Sequence, residues 1–213
     1  MRKIFLKRKG SLVVFSGPSG VGKDTILKRL ININKNIKLS ISATTRPKRD
    51  YEENGRDYYF LKKSEFLTMV DNGDMLEFAD YCGNYYGTPR KFVENFLNEG
   101  FDVILEIETD GALNVINNYS DAISIFVLPP SFEILKKRLL NRGSEEKDLI
   151  LKRLEKAKLE ISRAFNYKYL VINDDIDDCV NDVNSIIRSE NLKLYKNKNI
   201  INEVLENATS VYW

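Results

Sequence analysis

The sequence predicts an α/β protein: a parallel sheet covered by helices on both faces, interrupted by an inserted subdomain of mixed α/β character. Three observations carry this. Short apolar, β-branched runs alternate with stretches whose apolar residues recur every three or four positions, the signature of strands and helices in turn. The strand runs are almost continuously hydrophobic, as strands buried on both faces are. Between residues 42 and 88 the alternation breaks into several short strands and a polar loop.

The elements follow in order. Residues 11–16 form an apolar run that ends at Gly-Pro, a buried strand, and Ile26, Leu27, Leu30 and Ile31 then line one side of a helix. Residues 37–42 read as a second strand, and the polar stretch from Thr44 to about Glu53 reads as a loop. Strands at 58–61 and 76–81 bracket a helix carrying Phe66, Leu67 and Val70, and 83–87 is a turn-flanked segment. A helix with Phe92, Val93, Phe96 and Leu97 leads into a buried strand at 103–107, and the next element read is the strand at 123–128, closed by Pro129-Pro130. The following helix (Phe132, Leu135, Leu139) stops near Arg142-Gly143, glycine being a common helix terminator. A long helix carries Ile150, Leu154, Ala157 and Ile161, a last strand spans 169–172, and Asp174 and Asp175 open a helix with Ile176, Val180, Val183 and Ile187 on one face. The Lys/Asn-rich tail after about 190 is weakly periodic and reads as partly mobile.

Composition narrows the function. At 213 residues, 43% hydrophobic and 30% charged, the chain is expected to be one domain with insertions and a core of its own. Thirty-three Lys and Arg against 31 Asp and Glu leave a net charge of +2, with no general nucleic-acid signal. No apolar run approaches the ~18–20 residues of a membrane span. The chain has no His, which excludes Ser-His-Asp and Cys-His machinery and imidazole metal sites. Cys82 and Cys179 are too far apart for a Cys-x-x-Cys motif; each reads as a small buried hydrophobe in a reducing cytoplasm. The basic start contains only three consecutive apolar residues and is not a secretory signal, so a cytoplasmic location is expected. The chemistry is left to backbone amides, Arg, Lys and carboxylates.

Gly17, Pro18, Ser19, Gly20, Val21, Gly22 and Lys23 fit G-x-x-x-x-G-K between a predicted strand and a predicted helix, where such a loop turns its N–H groups around phosphate oxygens. The sheet is therefore expected to be of the P-loop NTPase type, with Lys23 on the β- and γ-phosphates. The Ser or Thr that commonly follows the lysine is Asp24 here, with Thr25 next. Thr25 can donate to the α-phosphate; Asp24 can contact metal-bound water or simply favour the helix start. In the insertion, Arg46 and Arg49 stand three apart in a loop ahead of Tyr58, a set able to hold a phosphate monoester.

Phosphate loop, Ser-x-Thr-Thr-Arg-x-x-Arg from Ser42, Gly-Arg-Asp-Tyr, Gly-Asn-Tyr-Tyr-Gly-Thr and Leu-Glu-Ile-Glu, in this order and spacing, resemble guanylate kinases over residues 12 to 187. The resemblance implies a core of residues 1–41, 89–135 and 160–213, a GMP-binding subdomain at 42–88, and a helical lid at 136–159. It implies that Arg46, Arg49, Tyr58 and Tyr86 hold the GMP phosphate and that Ser42, Glu77, Thr88 and Glu108 surround the guanine. Glu77 suits that role, because guanine N1–H and its 2-amino group are adjacent donors that one carboxylate accepts together, whereas adenine leaves it unpaired. Glu106 and Glu108 share parity on the predicted strand and are expected to face one way, Glu106 being the partner of Mg²⁺ or of its water shell. Lid arginines Arg138, Arg142 and Arg153 would close over the triphosphate, and Asn173 would lie near the adenine of ATP. The family often has Asp at 106 and 108 and Gln at 110. The implied reaction is ATP + GMP ⇌ ADP + GDP, with dGMP also accepted and neither nucleic acid nor membrane as partner. The rivals are a phosphopeptide-binding scaffold domain, which typically lacks the phosphate loop, and a related kinase with another acceptor.

Overall fold

The computed structural model describes residues 8–81, 83–140 and 147–209. Strands β1 (Leu12–Ser16), β2 (Ile37–Leu39), β7 (Asp102–Glu106), β8 (Ile123–Leu128) and β9 (Tyr169–Ile172) form one five-stranded sheet in the order β2-β7-β1-β8-β9. Every pairing in it is parallel. Parallel neighbours need crossovers, and helices supply them. Alternate residues of the central strand serve the two faces. Val13 and Phe15 pack with α1 (Lys23–Ile33) and α7 (Ile176–Asn191), and Leu12 and Val14 pack with α3 (Arg90–Glu99) and α4 (Thr109–Asn118). Asp175 caps α7, its carboxylate accepting from the N–H groups of Asp177 and Asp178.

The insertion builds a second sheet, β4-β3-β6-β5, from β3 (Ala43–Thr44), β4 (Tyr59–Phe60), β5 (Met75–Tyr81) and β6 (Asn84–Pro89). It has its own small core: Ala43 and Met75 meet Phe66 of α2 (Lys63–Asp71). A further separate core joins Leu135 and Leu139 of α5 (Phe132–Leu140) to Ile150, Leu154 and Ala157 of α6 (Lys147–Ser162). Separate cores are what allow parts of one chain to move against each other.

Three expectations are corrected. The strand expected at 37–42 ends at Leu39, and the chain then crosses to the second sheet at Ala43. The turn-flanked segment read at 83–87 holds the turn at Gly83 and the start of β6, paired antiparallel with β5. A helix not anticipated, α4, occupies 109–118; Ala112, Val115 and Ile116 carried its periodicity. The tail is ordered through 209, as a 3-10 turn (Leu194–Lys196) and α8 (Lys198–Thr209). It is tied to the far end of the chain: Lys196 Nζ donates to Ser11 Oγ at 2.9 Å, and Ser11 Oγ donates to Asn191 at 2.7 Å. Partners so distant in sequence leave no trace in local periodicity. Cys179 is buried, as expected; Cys82 lies outside the described residues.

Candidate active site

The loop after β1 leaves the carboxyl edge of the sheet where the strand order turns about β1, the place where open α/β sheets bind ligands. Gly22, at the N-cap of α1, has φ 100° and brings no side chain to the first turn; a Cβ there would meet Asn173 Nδ2 at 2.6 Å. Lys23 Nζ curls over the loop to donate to the Gly17 carbonyl at 2.8 Å. The loop is propped from behind. Asn173 Nδ2 donates to the Val21 carbonyl at 2.7 Å, and Arg138 spans the Val21 and Asn173 carbonyls at 3.3 and 3.0 Å.

A cavity of about 330 Å³ runs from this loop to the insertion. Gly17, Lys23, Asp24 and Glu106 line one end, and Ser42, Tyr58, Glu77 and Tyr86 line the other. The phosphate loop and, from the second candidate phosphate set, Tyr58 and Tyr86 thus open into the same space, while Arg46 and Arg49 are not among its lining residues.

Local backbone irregularity aims the carboxylate at the insertion end. The β5–β6 register slips between Met75 and Glu77, so that Glu77 falls opposite Thr88. Bulges of this kind re-aim side chains. Thr88 Oγ1 donates to Glu77 Oε1 at 2.7 Å, inside the protein. Burial pushes the Glu77 carboxyl up to about 7, opposed by the side-chain and backbone hydrogen bonds from Thr88. On the other side lies Gly111 of α4, where a Cβ would stand 2.4 Å from Glu77 Oε2. Gly111→Ala is therefore expected to displace this carboxylate and raise roughly tenfold the KM for GMP, the substrate that the resemblance in sequence implies at Glu77, with the KM for ATP unchanged. Steady-state kinetics with each substrate varied checks this; equal shifts in both constants would contradict it.

The arginines of the insertion are organised differently from each other. Arg46 makes a bidentate pair with the buried Glu52, at 2.6 and 3.0 Å, and lies over the Tyr58 and Phe60 rings. Its hydrogen bonds hold the Glu52 carboxylate down to about 2, against the opposing effect of burial and with help from the Arg49 backbone N–H. Arg49 is exposed, its guanidinium donating to the Tyr51 hydroxyl at 2.8 Å. Glu52 is a site residue that the sequence reading did not select. The sequence offered no way to single it out, because Asp50 and Glu53 stand as close to the two arginines.

At the loop end, Glu106 closes β7, and burial raises its carboxyl to about 7, with Lys23 pulling down and Asp24, hydrogen-bonded beside it, pushing up. Asp24 is itself exposed in the first turn of α1 and lines the cavity. Glu108 does not share the strand with Glu106, a correction to the expected parity. The strand ends at Glu106, and Glu108 is the N-cap of α4, half-exposed and paired with Lys156 at 2.6 Å. Both glutamates nevertheless line the cavity.

The structure therefore gathers Lys23, Asp24, Ser42, Tyr58, Glu77, Tyr86, Glu106 and Glu108 around one space, with Thr88 behind Glu77 and Arg46 beside Tyr58. Arg138 and Asn173 sit against the back of the loop instead. Arg153 is half-buried on α6, and Arg142 lies outside the described residues.

Residues 9–190 match the family described as guanylate kinase. The chain is 44% identical to a guanylate kinase of Oceanobacillus iheyensis, over 96% of this chain and all of that one. It is 46% identical to one of Thermotoga maritima, over 91% of this chain and 93% of the other. The crystal structure of guanylate kinase from Anaplasma phagocytophilum superposes with a TM-score of 0.72 at 36% identity, covering 88% of this chain and 89% of that one.

Proposed function

The chain belongs to the guanylate kinase family, and on that premise we propose how the residues of its cavity carry out the reaction. The reaction is the ATP-dependent phosphorylation of GMP to GDP. A bond forms between a GMP phosphate oxygen and the γ-phosphorus of ATP, and the bond to the β-phosphate oxygen of ADP breaks. The attacking oxygen is already ionised near neutral pH, so no general base is required, which is how a chain without His performs it.

GMP lies at the insertion end. Arg46, Arg49, Tyr58 and Tyr86 hold its phosphate; Ser42, Glu77, Thr88 and Glu108 surround the base. Residues 42–88 act as the GMP-binding subdomain and 136–159 as the lid. The phosphate loop, 17–23 with Asp24 and Thr25, holds the triphosphate; Asn173 backs the loop on the adenine side. Lys23, Arg46 and the lid arginines Arg142 and Arg153 neutralise the migrating phosphoryl group as the two movable units close and exclude water, while Arg138 serves the site by bracing the phosphate loop from behind. The ribose 2′-hydroxyl has no partner in this set, so dGMP is accepted as well. No described helix is long and apolar enough to cross a membrane.

The residues at the loop end suit Mg²⁺. Asp24 and Glu106 are neighbouring oxygen donors, the type a hard cation takes, and a cation beside them would offset the cost of ionising the half-buried Glu106. Among the described residues no three His, Cys, Asp or Glu side chains converge as a metal site, so Asp24 and Glu106 would supply only part of the ion's ligands. When bound, Mg²⁺ offsets the charge of the polyphosphate.

The observation that carries this reading is the single cavity shared by Lys23 and Glu77. A coupled assay of ADP formation with GMP, dGMP, AMP, CMP and UMP tests it: turnover with the two guanine nucleotides alone is expected, and equal use of AMP would remove Glu77 as the selector. The same assay has a pH signature. Guanine binds the ionised Glu77, whose carboxyl in the empty cavity sits at about 7, so binding releases a proton and the KM for GMP rises as pH falls below that value. The second ionisation of the GMP phosphate, near ~6, acts in the same direction. The part of the rise that disappears in Glu77→Gln belongs to the protein.

A further inference from the structure

Helix α6 and the 3-10 turn that follows it (Arg163–Asn166) grip one turn of the cavity wall. Lys156 Nζ lies 2.6 Å from Glu108 Oε2 and 3.5 Å from Glu160. Arg163 Nη1 donates to Thr109 Oγ1 at 2.8 Å and pairs with Asp110 at 2.5 Å. Three successive residues at the start of α4 are thus held by two cations, one from α6 and one from the turn that follows it. Glu108 and Asp110 line the cavity, Thr109 is buried, and the next residue, Gly111, backs the free oxygen of Glu77. The Asp110 and Glu108 side chains are 66% and 53% exposed, and ion pairs of that kind add little to stability. What their convergence does set is where the turn sits, and Gly111 transmits that position to the carboxylate.

We propose that Lys156 and Arg163 are positioning residues for acceptor selection: by pinning residues 108–110 they keep Gly111 against Glu77, so that both carboxylate oxygens stay aimed at the two adjacent donors of guanine. This rests on the reading of Glu77 as the base selector. Neither residue touches substrate; both act through α4. When the turn drifts outward, Glu77 gains room to rotate about its Thr88 bond, and one of its two guanine contacts is lost. IMP, whose base lacks the 2-amino group, loses less by that rotation than GMP does.

The test compares Arg163→Leu, Lys156→Met, their double variant and the conservative Arg163→Lys, with GMP, IMP and ATP each varied. The expected result is a rise in KM for GMP of roughly fivefold in each single variant and more in the double, with a matching fall in the preference for GMP over IMP. The KM for ATP and the melting temperature stay near wild type, and Arg163→Lys retains most of the preference. An unchanged GMP-to-IMP ratio overturns the proposal, whether or not the KM for ATP moves. Should an Arg163 variant fail to fold, Asp110→Asn, which removes the partner charge with the least change of shape, must lower the ratio in its place, and if it does not the proposal fails. Glu77→Gln separates the two levels. If it leaves the ratio unchanged, the selector reading itself falls; if it alters the ratio while the α6-side variants do not, only the positioning role falls.

Discussion

Lys23→Ala is expected to lower kcat by about 10²–10³-fold while the protein stays folded, the scale seen when one preorganised charge aimed at a developing transition-state charge is removed. The fold does not depend on the ammonium. Its observed bond is to the carbonyl of Gly17 in its own loop, and the loop is held from behind by Asn173 and Arg138 on the Val21 carbonyl. Truncation therefore leaves the cradle standing and removes only the charge. Single-turnover measurement of ADP formation, with circular dichroism and a thermal melt as controls, decides the matter. A variant that turns over like wild type would take Lys23 out of the chemistry.

Glu77→Gln carries the second large effect. Ionised Glu77 offers acceptors on both oxygens, one of them already receiving the Thr88 hydroxyl. Glutamine turns one of those positions into a donor that faces a donor of guanine, and a charge-assisted bond of ~1.5–3 kcal/mol is lost, which corresponds to roughly 10- to 150-fold in KM for GMP. The KM for ATP should hold. The empty protein should respond in the opposite sense. Because burial raises the Glu77 carboxyl above its unfolded value, the stability its protonated form contributes in the acid range is lost as pH rises through about 7. Gln cannot ionise, so above that pH the melting temperature of Glu77→Gln should equal or exceed that of wild type. Weaker binding without weaker folding is the mark of a group held for its ligand; a parallel loss of both would make Glu77 a structural residue.

Much of this site was legible residue by residue. The glycine spacing ahead of Lys23 marks a phosphate loop because a backbone that folds its amides around an anion needs residues without side chains at set positions, and Gly22, at φ 100°, is one of them. Glu77, Thr88 and the insertion arginines were selected from motif order. What remained hidden was of another kind. Glu52 became meaningful only as the buried partner of Arg46. Gly111 became meaningful only because its missing Cβ leaves room for Glu77 Oε2. Helix α4 was overlooked because the apolar strand before it, with a glutamate two residues on, continued a period of two past its true end at Glu106.

By itself the sequence determined the alternation of strands and helices, the phosphate loop, the chemical character of the acceptor site and the exclusion of histidine chemistry, since all of these depend on residue type and local spacing. Only the tertiary structure decided that Lys23 of the glycine-rich loop and Glu77 of the insertion line one cavity, that Glu106 and Glu108 belong to different elements, that Arg138 and Asn173 brace the loop from outside the cavity, and that the tail closes on Ser11. The physical reason is the same in each case. Contacts between residues far apart in the chain are set by how the layers pack, and packing depends on the volumes and vacant spaces of many side chains at once, which local periodicity does not record.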